Sequence, residues 1–461
     1  MDSGTAYRRV ITVVLVGAVL ASLAACSPTD PAPTAAPSPS PEASAAEAPS
    51  VPPATPTPLP TPDRPLASSG TVAILGDDGS LWLVDATGSS SLLSSADEGT
   101  FAFPAWSPDG RQLAAIRYGA TENAILVFTV GRGAPADGTD PVVILRSSSI
   151  GPFYLSWTPD GRYVSYLANE SGGLSLRLAP AAGGAPLDGT GPGAIIKTGN
   201  PFYFDWIDGE QLLVHVGAGT EAFIGEIGLD GDPTAAALTS PGDFRPAVVS
   251  PDRTLVGYVR AGDAPASEVV VSARDGSGER SLPVFGSAAV TFDPTGNTLA
   301  TIGPIEPPAT PLVIPLGPLR LIGAQADQDR TLLDGSVVSF WWSPDGETIA
   351  ALRVQPVAGP ASSASPLPSP SGAATEIRLL FVDVASGNIR SSVVVAPGQL
   401  FIDQFLTFFD QYALSHELWA PDSSSLLLPV VDADGTTRVA VLFRDGTDPV
   451  MIEGQIGFWS P

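Results

Sequence analysis

The stretch Ala105-Trp106-Ser107-Pro108-Asp109-Gly110-Arg111-Gln112-Leu113-Ala114-Ala115-Ile116 decides the fold of this chain. Its central Ser-Pro-Asp-Gly has the composition of a tight turn. Proline presets the backbone at the second position, and glycine accepts the positive φ that closes a hairpin. Apolar residues that favour strands stand on both sides of the turn. The stretch therefore predicts a strand, a tight turn and a second strand.

The same phrase recurs along the chain. Neighbouring copies lie about 43 to 51 residues apart, with one longer gap of about 77 residues, and most copies are followed by a third apolar run and a further turn. A repeating unit of four strands in 40 to 50 residues is typical of a propeller blade. The further copies begin at Trp157, Trp206, Val249, Phe292, Trp342, Trp419 and Trp459.

These copies resemble the PD40, or TolB-like (WD40-like), repeat, in which an aromatic residue, Ser-Pro-Asp-Gly and an aliphatic strand follow one another. The resemblance covers about residues 71–461 and implies an all-β fold with a single β-propeller. The last copy stops after its innermost strand, whereas Thr71 to Asp85 provides strands that lack an innermost one. We therefore expect eight four-stranded blades, closed by pairing Gly457-Phe458-Trp459 with Thr71 to Leu75. Seven blades are the alternative if one degenerate copy forms no blade.

The two copies that begin at Val249 and Trp419 lack the glycine of the turn, and the copy at Trp206 lacks its proline. We expect altered turns there. Two further segments are expected to leave the blades as loops. One is the Pro/Ser-rich insertion at 355–375, and the other is the aromatic stretch at 401–412.

The N-terminus has the pattern of an exported, lipid-anchored protein. Two arginines precede an apolar stretch that is too short to span a bilayer, which is typical of a signal peptide at 1–25. Leu23-Ala24-Ala25-Cys26 resembles the bacterial lipobox, which implies a lipid on Cys26; an ordinary signal peptide with an accidental cysteine is the alternative. Residues 26–69 are expected to form a disordered Pro/Ala/Ser/Thr-rich tether, and the propeller to occupy 70–461.

Composition and motifs exclude several classes of function. The formal net charge of −26 makes nucleic acid an implausible partner. A lipidated Cys26 would leave no other thiol, because it is the chain's one cysteine. No Gly-x-Ser-x-Gly elbow or His-Glu-x-x-His motif occurs. We expect no catalytic residues, no metal, no cofactor and a monomer.

The segment Phe401–Glu417 is the candidate functional face. It is rich in large aromatic residues although it connects two blades, and a connector that is merely a loop should be polar. Asp410, Tyr412 and His416 are the predicted polar binding contacts. The alternative is a structural connector, in which the rings are buried and the polar groups satisfy backbone atoms.

Together these features predict an extracytoplasmic lipoprotein, held to the cell membrane by its lipid. The membrane would be the outer one if the host has one. The expected function is a binding or scaffolding module for an envelope protein or a glycan, without enzymatic activity. A hydrolase or lyase with its site at the propeller channel is the alternative, because a propeller does not by itself name a function.

Replacing Cys26 by Ser should release the protein from membranes into the soluble fraction. The expected reason is that two acyl chains on Cys26 supply stable anchoring that a single chain does not. Fractionation of cells that express Cys26→Ser beside the unaltered chain measures this. Mass spectrometry that finds an unmodified mature N-terminus on the unaltered chain would contradict the assignment.

Overall fold

The computed structural model describes residue 59 and residues 61–131, 140–170, 173–183, 193–217, 222–238, 247–261, 266–308, 314–323, 328–357 and 375–461. The predicted signal peptide, Cys26 and most of the tether lie outside these residues. The protein is all-β, with 55% strand and 4% helix. None of the helices in the described ranges combines the length and the apolar content needed to cross a bilayer.

The first half of the described chain forms four antiparallel sheets, in which successive strands are neighbours. The first sheet contains β1–β3, and the next three are β4–β7, β8–β11 and the three-stranded β12–β14. The strands are β1 Thr71–Leu75, β2 Leu81–Asp85, β3 Ser90–Ser94, β4 Thr100–Trp106, β5 Gln112–Tyr118, β6 Asn123–Thr129, β7 Val142–Ser147, β8 Gly151–Trp157, β9 Tyr163–Glu170, β10 Gly173–Pro180, β11 Ala194–Thr198, β12 Phe202–Trp206, β13 Gln211–Val216 and β14 Phe223–Gly228.

The second half continues the pattern with the sheet β15–β18, a seven-stranded sheet β19–β25 and the three-stranded β26–β28. The last strand, β29, joins the first sheet. The strands are β15 Ala247–Val249, β16 Leu255–Ala261, β17 Ser267–Ala273, β18 Arg280–Val284, β19 Ala289–Phe292, β20 Leu299–Ile302, β21 Gly317–Ile322, β22 Arg330–Trp342, β23 Thr348–Pro356, β24 Thr375–Asp383, β25 Ile389–Val395, β26 Ser425–Val431, β27 Thr437–Phe443, β28 Val450–Glu453 and β29 Ile456–Trp459.

Two features of this topology concern how the sheets are counted and joined. Strand β29 pairs antiparallel with β1, with Phe458 opposite Ala73, as the sequence predicted for these strands. In the seven-stranded sheet, β22 pairs with two groups of strands. Its first part pairs with β21, its second part pairs with β23, and Gly335 between them has a φ of 97°. A left-handed residue lets a strand bend sharply, so β22 passes directly from one group to the next.

The repeated turns explain the Ser-Pro-Asp-Gly phrase. Ser107 Oγ donates to Asp109 Oδ1 at 2.7 Å and accepts from the backbone of Gln112, while Gly110 has a φ of 67°. Where the glycine is missing, Arg253 and Ser423 adopt φ values of 65° and 61°. The expected alteration of these two turns is therefore absent. The hydrogen bonds of the turn aspartate hold a non-glycine residue in the left-handed backbone conformation that normally favours glycine.

The end of the predicted tether packs on the sheets. Leu66 is completely buried beside Trp82 and Trp459, its carbonyl accepts from Ser425 Oγ at 2.9 Å, and its N–H donates to Ala86. The packed part of the described chain therefore includes residues before the predicted boundary at residue 70. Residues 61–69, which we call the clamp, lie across the first sheet and the sheet β26–β28.

Truncating Leu66 should destabilise the whole protein. Leu66→Ala removes a fully buried side chain and leaves a cavity, at a cost of about 2–5 kcal/mol. Ile389→Ala is the control, because Ile389 is 45% exposed and surface truncations stay within about 0.5 kcal/mol. Urea unfolding of the two variants measures the difference. Equal stabilities would show that the clamp rests on the sheets without stabilising them.

Candidate functional site

The segment that joins β25 to the repeat at Trp419 is helical. Residues 399–416, which we call the crossover, include a π-helical turn at Phe401–Phe405, a 3-10 turn at Leu406–Phe408 and the one-turn helix α1 at Phe409–Tyr412. The prediction that this aromatic stretch leaves the blades as a loop is wrong. Its rings find apolar partners on the innermost strands, so the chain turns inward instead. At the predicted insertion 355–375, β23 ends at Pro356 and β24 begins at Thr375. Most of the insertion lies outside the described residues.

Aromatic side chains from several sheets meet the crossover. The ring of Phe405 lies 5.2 Å from that of Phe458 on β29, and Phe409 lies 5.4 Å from Phe340 on β22. On the β8 side, the ring of Tyr412 lies 5.1 Å from Tyr154. Because these strands belong to three different sheets, the crossover lies where the sheets converge.

Two innermost strands carry bulges that turn a ring towards the crossover. Phe103 on β4 and Tyr154 on β8 have φ values of 51° and 49°, and the strand register shifts at both places. A bulge redirects the side chain of the extra residue. Phe103 consequently stacks on Tyr412, and the Tyr154 hydroxyl donates to the carbonyl of Gln411 at 3.0 Å. Both strained residues serve the packing of the crossover.

The three residues predicted as binding contacts are buried. Asp410, Tyr412 and His416 are 3%, 8% and 3% exposed, whereas Phe408 is 44% exposed. Burial raises the pKa of Asp410 to about 7 and that of Tyr412 above its usual range. It lowers the pKa of His416 to about 3, so this imidazole is neutral at physiological pH. Four of the five aromatic rings in the segment are buried as well, which favours the structural alternative for most of it.

Gln411 is the polar residue that ties the crossover to the sheets. Its side-chain amide donates to the carbonyl of Phe204 at 2.8 Å and to the Tyr154 hydroxyl at 2.7 Å. Its amide oxygen accepts from the N–H of Phe204 at 3.0 Å. These bonds satisfy free backbone groups of an innermost strand, which is a structural role. Sequence reasoning assigned it no role.

An open cavity lies at the opposite end of the innermost strands, where the Ser-Pro turns begin. It consists of two adjoining parts of about 280 Å³ and 470 Å³ that share Leu414, Glu417 and Pro461. We call it the mouth. Ser415 lines one part and His416 the other, so His416 is the predicted contact that reaches the mouth. The tryptophans that line it are Trp106, Trp157, Trp206, Trp341, Trp342, Trp419 and Trp459.

Two carboxylates face the mouth. Asp205 lines its smaller part, and Glu417 lines both parts. One Asp205 oxygen accepts from the N–H of Val249 at 2.7 Å. Glu417 is exposed to the solvent of the mouth, but protein surrounds it. Desolvation raises the pKa of each carboxyl to about 7. Neither part of the mouth is lined by a lysine or an arginine from the described ranges.

Sequence reasoning named neither carboxylate as a binding contact, although Glu417 is the last residue of the predicted functional face. A signal was available for each, because the repeats can be aligned on the residue at which each copy begins. Asp205 directly precedes Trp206, and Glu417 stands two positions before Trp419. The other copies have uncharged residues at these positions. Charges at places where the repeat otherwise has none indicate a site rather than a structural requirement.

Comparisons with known proteins come from structure alone, since no family model and no curated protein matches the chain. NirN, a dihydro-heme d1 dehydrogenase solved in complex with DHE, is 15% identical over 89% of this chain and 83% of its own, with a TM-score of 0.52. TolB from Acinetobacter baumannii is 18% identical, with coverages of 56% and 62% and a TM-score of 0.35. A putative TolB from Agrobacterium tumefaciens is 18% identical, with coverages of 60% and 95% and a TM-score of 0.36.

The antiparallel sheets and the likeness to NirN define the class of protein. The chain is an all-β propeller protein whose structural neighbours include TolB proteins. It covers less than two thirds of the length of the Acinetobacter TolB. At such low identities the likeness concerns the fold alone.

Truncating Tyr412 should unfold the protein rather than impair a surface. Its ring packs 4.3 Å from Phe405 and 5.1 Å from Tyr154, so Tyr412→Ala should cost about 3–5 kcal/mol. Tyr412→Phe keeps the ring and should cost no more than about 1 kcal/mol. Thermal unfolding measures both variants. A Tyr412→Ala protein that keeps its stability but loses partner capture would restore the residue as a binding contact.

Proposed function

We propose that this protein is a binding module of the cell envelope, and that it recognises its partner through the mouth. The observation that carries the proposal is the asymmetry of the two ends of the innermost strands. The crossover fills one end with packed rings, and the other end remains open and lined by tryptophans. A concave, largely apolar site with a few polar groups is the usual form of a ligand site.

The propeller that presents the mouth is proposed to be a closed ring of eight blades. Pairing of β29 with β1 supports closure. The division of β22 between two groups of strands supports the count, because it turns the seven-stranded sheet into two blades. With the six other sheets this gives eight. A closed ring leaves the innermost strands rigid, and a rigid scaffold orders a site before its ligand arrives.

Anchoring is proposed to occur through a lipid on Cys26, with the predicted tether between the lipid and the clamp. The clamp supports this arrangement, because its Arg64 lies over the ring of Phe443 at 3.5 Å and donates to Thr447 at 2.9 Å. The chain therefore leaves the propeller at a fixed place. A membrane-held monomer could then present its mouth to an envelope protein or glycan within the reach of the tether.

The chemistry at the mouth supports binding over the hydrolase or lyase alternative. Ser415 Oγ lies 2.7 Å from His416 Nδ1, which has the form of a nucleophile and its base. Burial, however, lowers the pKa of His416 to about 3. A base works best with a pKa near the operating pH, so this imidazole is too weak to activate a hydroxyl group. No group of three or more His, Cys, Asp or Glu suited to hold a metal occurs in the described part of the chain.

Site-directed cross-linking on intact cells tests the proposal. Since Cys26 is the single natural cysteine and is predicted to be lipidated, an introduced thiol is the unique attachment point for a photo-activated cross-linker. Pro461→Cys places it in the mouth, because Pro461 is exposed and lines both parts. We expect Pro461→Cys to yield a discrete covalent adduct with an envelope component, because the mouth contacts the partner.

Asp448→Cys is the matched control for that experiment. Asp448 is an exposed acidic residue in the turn before β28, away from the mouth. The control should give no adduct of the same mass. The same adduct from both positions, or an adduct from Asp448→Cys alone, would show that the mouth is not the recognition site.

A further inference from the structure

We propose that the mouth binds a primary ammonium group carried on an aliphatic stem. This inference rests on the proposed function and specifies the chemistry of the ligand. Such a group occurs in free polyamines and in lysine side chains. The inference follows from three features of the mouth. These are its carboxylates without cationic partners, its aromatic walls and its supply of hydrogen-bond acceptors.

The first feature is negative charge that the protein leaves uncompensated. Other carboxylates do have a cationic partner: Glu226, for example, pairs with Arg274 at 2.7 Å. The Glu417 carboxylate has no hydrogen bond or ion pair among the contacts of the described residues, and one oxygen of Asp205 accepts only backbone N–H groups. Low-dielectric walls around like charges focus a negative potential into the opening. A cation that enters would supply the missing partner.

The second feature is the aromatic lining. Seven of the eight tryptophans of the chain line the mouth. Indole faces attract cations through their quadrupole and accept an aliphatic stem by burying its apolar surface. The turn prolines, such as Pro251 and Pro294, widen this apolar rim. A ligand with a charged tip and an apolar stem therefore matches the mouth better than an inorganic cation does.

The third feature is a wall of acceptors, which favours N–H donors. The Tyr154 hydroxyl donates to the Gln411 carbonyl at 3.0 Å, and Ser415 Oγ donates to the Tyr154 hydroxyl at 3.2 Å. Ser415 Oγ also lies 2.7 Å from His416 Nδ1, and His416 Nε2 is buried without a partner among the described residues.

Acceptors rather than donors therefore face the ligand. Glu417 and Asp205 supply carboxylate oxygens to the mouth. A primary ammonium has three N–H donors and no acceptor. A quaternary ammonium would satisfy the charge but none of these acceptors. The geometry thus favours a primary amine.

Binding should depend on pH through the two carboxyls. The other titratable groups that line the mouth are Tyr154, whose pKa lies above its usual range, and His416, which stays neutral above pH of about 3. Asp205 and Glu417 have pKa values of about 7, so they gain charge as the pH rises through neutrality. A primary amine stays protonated over this range, with a pKa of about 10.4. Affinity should therefore rise by about tenfold or more from pH 5.5 to pH 8.

Tryptophan fluorescence and calorimetry on the full chain test the inference with two primary amines. Spermidine represents a free polyamine, and Nα-acetyl-lysine amide represents a lysine side chain. The Nε-acetylated form of the lysine compound is the neutral control. We expect at least one amine to bind and the acetylated compound to bind about tenfold more weakly, because it lacks the charge. Preference for spermidine assigns a free amine, and preference for the lysine compound assigns a protein side chain.

Two conservative variants locate the site. Glu417→Gln and Asp205→Asn remove one charge each while keeping an acceptor, so each should weaken amine binding by about tenfold and flatten its pH dependence. Asp448→Asn, away from the mouth, should change nothing. Thermal unfolding of all three confirms that they are folded. Amine binding that is equal in Glu417→Gln and the unaltered chain, or equal binding of the acetylated compound, overturns the inference.

The two proposals fail in different ways. If neither amine binds at concentrations up to about 10 mM while Pro461→Cys still gives its specific adduct, the ammonium inference is wrong and the binding function stands. If an amine binds with the expected dependence on Glu417 but no adduct forms, the ligand is a small molecule and the proposal of an envelope partner is wrong.

Discussion

The hydrogen bond from an indole at the end of one innermost strand to the preceding sheet is the interaction on which this architecture depends. Trp157 Nε1 donates to the carbonyl of Ala105 at 2.9 Å, and Trp106 Nε1 donates to the carbonyl of Phe458 at 3.0 Å. Each bond ties neighbouring sheets together at the same depth. Because a large flat ring must span that distance, the innermost strands stay apart at this end, and the mouth is the space that remains.

The crossover fills the space between the innermost strands at the other end. Strands that radiate from a common axis leave a gap there, and the bulges at Phe103 and Tyr154 show the chain deforming to fill it. Filling the gap with rings also buries Asp410, which raises its pKa to about 7. Most of the polar groups inside the crossover are engaged in contacts within the protein by this packing. Gln411, for example, bonds to both the N–H and the carbonyl of Phe204. The open end is therefore the part of the fold that the proposed recognition would use.

The sequence predicted the sheets well, whereas it placed the candidate contacts in a segment that the fold buries. Turn chemistry is local, so the repeated Ser-Pro-Asp-Gly indicated the strands and the pairing of β1 with β29. The crossover lacks a regular helical period, and its burial depends on rings supplied by several distant strands. Aromatic density alone predicted a recognition face at Asp410, Tyr412 and His416. The segment does reach the mouth, but through its C-terminal end at His416 and Glu417.

The energetics of the two mouth carboxyls point to a function rather than to folding. Their pKa values in the fold are about 7, above the ordinary values of 3.8 for Asp205 and 4.5 for Glu417. An unfolded chain would therefore hold fewer protons at these groups, and the folded state loses stability as the pH rises from about 4 through 7. Folding alone gives no reason to keep ionisable groups with this cost, since Ala105, Ser156 and Leu155 occupy the equivalent positions in other copies. A cation that binds there would reverse the penalty, because it stabilises the ionised carboxylates that the empty mouth disfavours.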